Sequence, residues 1–190
     1  TDTINLTGGT TLSSASIVAN GGDGNDVITL NSYSGFVTVT GDAGADTINV
    51  GLASLAFVEG GSGVDQIALT AVGGTASGGT EDDTITFNYR VTGAGNAELL
   101  GGAGNDTLIF APFIPDSTFG GNSGVLNGGA GNDSLSNTSF SFITFFVQTT
   151  YAFDAAWGDD TISGFNDGTD LLRFQSTGAT QFSDLTVSGG

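Results

Sequence analysis

With 190 residues, 20 acidic side chains against only two basic ones (Arg90 and Arg173) and a formal charge of −18, the chain repels nucleic acid, polyanionic sugars and anionic membrane surfaces, and it attracts cations. His and Cys are absent, which excludes Ser–His–Asp and Cys–His catalysis, His-ligated zinc or iron, and disulfides. Carboxylates and backbone oxygens remain, the donor set of hard cations, and no apolar run approaches the ~20 residues of a membrane span.

The chain begins mid-pattern, at Thr1-Asp2-Thr3-Ile4-Asn5, and contains no Met, so it reads as an excised piece of a larger protein. From there one unit recurs. SIVAN runs into the turn GGDGND at 21–26 and out through VITL; FVTVT runs into GDAGAD at 41–46 and out through TINV. LAFVE runs into GGSGVD at 60–65 and out through QIAL, and GGTEDD at 78–83 precedes TITF. NAELL leads to GGAGND at 101–106 and TLIF, and VLN leads more weakly to a second GGAGND at 128–133 and SLSN. A worn copy, AAWGDD at 155–160, precedes TISG. The turn-ending aspartates are Asp2, Asp26, Asp46, Asp65, Asp83, Asp106, Asp133 and Asp160. Their separations of 24, 20, 19, 18, 23, 27 and 27 residues give a solenoid-like period with variable loops.

The second residue after each Asp is aliphatic throughout: Ile4, Ile28, Ile48, Ile67, Ile85, Leu108, Leu135 and Ile162. A second apolar column follows two residues later, until Asn137 and Gly164 interrupt it. Alternation at period 2 after a turn predicts short, half-buried strands. Connectors without Asp, such as NSYSG, GLAS and TAVGG, link the strands on the other side. Each unit is therefore strand, acidic turn, strand, plain turn, and short connections stack the units with like strands side by side and parallel. At ~4.8 Å per strand, about seven coils make an all-β parallel β-roll on the order of 35 Å long. Two Pro and 33 Gly argue against any helix. One domain is expected over 1–190, with 1–135 the repeat stack and 136–190 the capping or terminal coils.

Stacking aligns the acidic turns on one edge. Carboxylates repeated every ~5 Å repel at roughly 1 kcal/mol per pair even in water, and two Arg cannot neutralise them. A divalent cation between successive turns would. Ca²⁺ takes six to eight oxygens in forgiving geometry and suits a site of Asp side chains and Gly carbonyls; Mg²⁺ demands a tighter octahedron and keeps its water. Gly is needed where the chain visits positive φ and turns its carbonyls inward. The candidate carboxylates are Asp26, Asp46, Asp65, Asp83, Asp106, Asp133 and Asp160, with Asp23, Asp42 and Glu81 beside them in the same turns.

The pattern GGxGxDx(Ile/Leu)x, nearly complete at Gly21–Thr29, Gly60–Ala68, Gly101–Ile109 and Gly128–Ser136, resembles the nonapeptide of the repeats-in-toxin (RTX) family. The resemblance covers most of the chain, and the tail GDDTISGFNDGTDLLRF, then FSDLTVSGG, resembles the segment that caps rolls of that family. It implies a right-handed parallel β-roll in which Asp26, Asp65, Asp106 and Asp133 give side-chain oxygens to Ca²⁺. The turn glycines, Gly22, Gly24, Gly44, Gly61, Gly63, Gly79, Gly102, Gly104, Gly129, Gly131 and Gly158, would give carbonyls. Family repeats are tandem, with metal on both edges. Here only one turn per coil keeps the motif, which predicts a single calcium ladder of about six ions between seven turns. Asp42 in place of the second Gly, and Glu81 in place of the third, alter two of the sites, and AAWGDD closes the ladder imperfectly.

Other chemistries fit less well. GxG fragments with no following helix, in a negative field, do not make a phosphate loop, and the twelve-residue EF-hand loop with its closing Glu is absent. Thr3, Thr47, Thr84, Thr107 and Thr161 could form an ice-facing column, but Thr favours strands and unequal coils argue against a flat, lattice-matching face. Asp159–Asp160 reads as a charged turn rather than a glycosidase pair, and Arg90 beside Tyr89 as a loop residue. The aromatic run Phe140–Phe153 is expected to pack over an end or side of the roll. No catalytic set emerges.

The expectation is a non-enzymatic, calcium-dependent structural module of a secreted or cell-surface bacterial protein. The resemblance implies type I secretion. The chain would be disordered during export and folded outside by Ca²⁺ at sites with Kd on the order of 10⁻⁴–10⁻³ M. An S-layer-like lattice of copies of the chain, or an adhesin stalk, is the first reading of its role. The alternative is the accessory roll of a secreted protease or lipase whose catalytic domain lies outside this chain, and a module binding a cell-surface glycan is a third.

Overall fold

The computed structural model describes residues 1–7, 16–31, 35–90, 95–113, 123–138, 148–153, 158–166, 168–174 and 186–188. Among them the alternating stretches are strands, and there is no helix. One sheet takes every strand that follows an acidic turn: β1 (Thr3–Thr7), β3 (Val27–Asn31), β5 (Thr47–Ala53), β7 (Gln66–Ala71), β9 (Thr84–Arg90), β11 (Thr107–Phe113), β13 (Ser134–Asn137), β15 (Thr161–Ser163) and β17 (Thr186–Ser188). The other takes the strands that precede one: β2 (Ser16–Asp23), β4 (Phe36–Ala43), β6 (Leu55–Ser62), β8 (Gly74–Thr80), β10 (Asn96–Ala103), β12 (Ser123–Ala130), β14 (Gln148–Phe153) and β16 (Leu171–Phe174). Neighbours pair in parallel within each sheet, so the chain winds from one sheet to the other as a parallel β-roll. It makes about six turns, close to the seven expected; β1, at one end, is a single strand with no partner strand before it.

Two apolar columns face each other inside. Ile28, Ile48, Ile67, Ile85, Leu108 and Leu135 lie in register and are buried, opposite Val39, Val58, Ala76, Leu99, Leu126 and Tyr151 from the second sheet. The neighbouring pair of columns trades volume across the core, as close packing demands. The first sheet grows from Leu30 and Val50 to Phe87 and Phe110, while the second shrinks from Val37 and Ala56 to Gly74, Ala97 and Gly124. At Gly124 a Cβ would stand 2.7 Å from the Phe110 ring, so glycine here makes room for the aromatic side chain.

Between β2 and β13 repeat lengths vary on one edge only. From β2 to β13 every connector on the acidic edge has three residues, as in 24–26 and 131–133, whereas connectors on the far edge range from one residue (54) to ten (138–147). Outward columns therefore keep their register despite unequal coils: Thr3, Val27, Thr47, Gln66, Thr84, Thr107, Ser134 and Thr161 stand in one line.

The aromatic run differs from expectation. Residues 139–147 lie outside the described part. The remainder, Gln148–Phe153, is a strand of the stack, with Tyr151 and Phe153 buried in the core rather than laid over it. Thr149 is buried and Ala152 is buried between Tyr151 and Phe153, so the strand does not alternate apolar and polar residues. The tail likewise continues both sheets through β15, β16 and β17. At its far-edge turn the Asp170 carboxylate accepts from Thr149 N–H and Asn166 N–H, each at 3.0 Å.

Candidate metal centre

Because the acidic connectors from β2 to β13 have constant length, and every turn-ending Asp directly precedes its strand, the aspartates stack in a row. Asp26, Asp46, Asp65, Asp83, Asp106, Asp133 and Asp160 are each at most 2% exposed, deep burial for a residue type that is seldom buried without a partner. Each turn is tied to the next. Asp26 and Asp46 N–H donate to Oδ1 of Asp46 and Asp65 at 2.7 Å; Asp65, Asp83 and Asp106 N–H donate to Oδ1 of Asp83, Asp106 and Asp133 at 2.8 Å. Asp133 N–H reaches Asp160 Oδ1 at 2.9 Å, and Asp2 N–H begins the series at Asp26 Oδ1.

Only one oxygen of each carboxylate is used this way. Oδ2 of Asp26, Asp46, Asp65, Asp83, Asp106 and Asp133 is buried and has no hydrogen-bond partner, and an unpaired buried charge is expensive. Burial pushes the pKa of Asp65 and Asp106 up to about 6 and that of Asp83 and Asp160 up to about 7, and it raises that of Asp133 as well. The backbone N–H on each carboxylate opposes the shift, and the charge of neighbouring acids adds to it.

Each orphaned oxygen lies over the first glycine of its own turn. A Cβ built on Gly21 would be 2.7 Å from Asp26 Oδ2 and 2.8 Å from the carbonyl oxygen of Gly41, one turn on. A Cβ on Gly60 would be 2.6 Å from the Gly78 carbonyl oxygen and closer still to Asp65 Oδ2. Carboxylate and carbonyl oxygens thus converge in a cradle that any side chain would fill. This position was passed over in the sequence, although the signal was there. In the six complete turns the first residue is Gly every time (Gly21, Gly41, Gly60, Gly78, Gly101 and Gly128), whereas the second and fourth positions each admit an exception.

Those exceptions are placed as follows. Gly22, Asp42, Gly61, Gly79, Gly102 and Gly129 lie in one register line at positive φ, with Asp42 at 74°. Gly24, Gly44, Gly63, Glu81, Gly104 and Gly131 form a second positive-φ set, with Glu81 also at 74°. Both acids hold a backbone that favours glycine, and both side chains are exposed. Neither they nor the exposed Asp23 join the buried row. Glu81 Oε2 accepts from Gly63 N–H at 2.8 Å and from the Thr80 hydroxyl at 2.6 Å, which lowers its pKa. Gly158 N–H donates to the Gly131 carbonyl at 2.8 Å. Beside that last turn Phe153 is buried and stacks on Phe174 at 5.1 Å. The Arg90 side chain lies outside the described residues.

Among the described residues no three acidic side chains converge on one point. A cation here would draw on the orphaned Oδ2 atoms and complete its shell with backbone carbonyls, a set of hard oxygens that fits Ca²⁺. Comparison with known proteins found no matching family model, no matching curated protein and no matching solved structure, so the chemistry of this row rests on its own atoms.

Proposed function

We propose that the chain is a calcium-dependent structural module whose roll is held closed along its acidic edge by about six Ca²⁺ ions. The observation that carries this reading is the set of six buried Oδ2 atoms without partners, each over the first glycine of its own turn, where at Gly21, Gly41, Gly60 and Gly101 a backbone carbonyl of the following turn also approaches. Two Arg in 190 residues cannot supply the missing charge. Without a cation the row either keeps protons or bears repulsion at every step, and 33 glycines make ordering the backbone costly. Folding is therefore coupled to binding. The repeat motif supports membership of the RTX family, and with it export as an unfolded chain and assembly outside the cell, in an S-layer-like lattice or an adhesin stalk. The lack of His and Cys supports a non-enzymatic role.

Circular dichroism during Ca²⁺ titration, with a parallel Mg²⁺ titration, tests the reading. Strand signal should develop at Ca²⁺ concentrations on the order of 0.1–1 mM and much less with Mg²⁺. A chain already rich in strand in excess chelator, and unchanged by Ca²⁺, overturns it.

A further inference from the structure

The row of aspartates has a companion that runs the other way. At four of the six gaps, the residue just before the buried Asp accepts a hydrogen bond from its counterpart one turn later. Ala45 N–H donates to Asn25 Oδ1 at 3.0 Å, Asn105 N–H to Asp82 Oδ1 at 2.7 Å, Asn132 N–H to Asn105 Oδ1 at 3.0 Å, and Asp159 N–H to Asn132 Oδ1 at 2.8 Å. Such a gap is closed by two adjacent bonds of opposite direction. Between the turns of Asp106 and Asp133, for example, Asp106 N–H points forward to Asp133 while Asn132 N–H points back to Asn105.

The two gaps on either side of Asp65 lack the return bond, because Ala45 and Val64 have no side-chain acceptor; Val64 is 53% exposed. The second of these gaps carries a different side-chain bond, from Gly63 N–H to Glu81 Oε2 at 2.8 Å, which lies one residue further from the buried Asp.

We infer that the side chain preceding each buried Asp is the positioning residue of its gap, and that the two gaps flanking Asp65 are the last to fill with Ca²⁺ and the first to open. This rests on the calcium-ladder reading. A cation needs carboxylate and carbonyl oxygens held at one spacing. Every gap has the forward Asp bond and a backbone bond running back to the Asp carbonyl, such as Gln66 N–H to Asp46 at 2.8 Å and Thr84 N–H to Asp65 at 2.9 Å. The side-chain return bond adds a restraint at the residue just before the Asp, and the two gaps flanking Asp65 lack it. The middle of the stack is therefore its seam.

Hydrogen exchange of the Ca²⁺-loaded chain, resolved by residue, tests the inference. The N–H groups of Val64 and Asp82 should exchange about fivefold or more faster than those of Ala45, Asn105, Asn132 and Asp159, the worth of one hydrogen bond. Val64→Asn, at an exposed position, should slow exchange at Asp82 by a similar factor and lower the Ca²⁺ midpoint. Asn105→Ala should release the Asn132 N–H, and Asn105→Asp, which keeps the acceptor, should not. If Val64→Asn leaves exchange and midpoint unchanged while Ca²⁺ still folds the chain, the positioning role is wrong and the ladder stands. If Ca²⁺ protects none of the turn N–H groups in the unaltered chain, both fall.

Discussion

Gly60→Ala isolates what the cradle contributes. Gly60 has no positive φ to defend, so the added methyl acts only through space. It would lie 2.6 Å from the Gly78 carbonyl oxygen and 2.9 Å from Asp65 Cγ, both well inside van der Waals contact, and neither neighbour is the free end of a flexible chain. Relief requires the Asp65 carboxylate to move, which loosens the 2.7 Å bond it accepts from Asp46 N–H. Overpacking costs about 1–3 kcal/mol and a weakened buried donor about 1–3 kcal/mol if fully lost. Alanine returns about 0.4–1 kcal/mol by restricting the unfolded chain. The net is roughly 2–4 kcal/mol, or a melting temperature lower by about 5–15 °C for a chain of this size. Gly22→Ala is the matched control: φ is 87° there and nothing lies within 4 Å of the new Cβ, so only the left-handed backbone penalty of about 1 kcal/mol applies. Thermal melts followed by circular dichroism in saturating Ca²⁺ give both values, and Ca²⁺ titration reads the site directly. A Gly60→Ala protein that melts with the parent and binds Ca²⁺ at the same midpoint refutes the cradle.

Three further outcomes are expected. Asp106→Asn keeps an acceptor for Asp83 N–H but removes a buried charge, so it should raise the Ca²⁺ midpoint severalfold while making the metal-free chain easier to fold; the opposite signs would contradict the row's electrostatics. In chelator, stability should fall as pH rises from about 4 to 7. Asp65, Asp83, Asp106 and Asp160 hold protons up to about 6 or 7 when folded, whereas the unfolded chain releases them near 4. Strand content by circular dichroism in chelator, compared at pH 4.5 and 7.5, should show this loss, and a strand signal that climbs with pH would exclude buried, cation-free carboxylates. Gly124→Ala should cost about 1–3 kcal/mol through the 2.7 Å approach to the Phe110 ring, and the double variant with Phe110→Leu should recover part of it in a denaturant melt, since the shorter side chain frees the volume.

The roll was legible because its signals are local and repeated. The Ile and Leu two residues past each Asp mark inward positions, and a constant distance from Asp to strand forces like residues into line. The alignment of the aspartates followed from the same arithmetic, but their burial did not. What escaped the sequence depends on contacts between turns. A Cβ at any first-position glycine would meet the carboxylate five residues on, and at Gly21, Gly41, Gly60 and Gly101 a carbonyl of the next turn as well, so their strictness shows only once the turn is closed and stacked. Asn25, Asn105 and Asn132 look like ordinary turn residues until the stack brings a donor N–H to each from 20 or 27 residues away. Tyr151 and Phe153 escape the pattern because a buried polar residue, Thr149, shares their inward column and Ala152 between them is buried too.

A border whose connectors run from one to ten residues, opposite one held at three over six successive turns, confines tolerance for added sequence to a single side of the fold. Residues inserted at 114–122 or 138–147 fall between strands and should leave every pairing in place, so these positions suit the grafting of a foreign peptide.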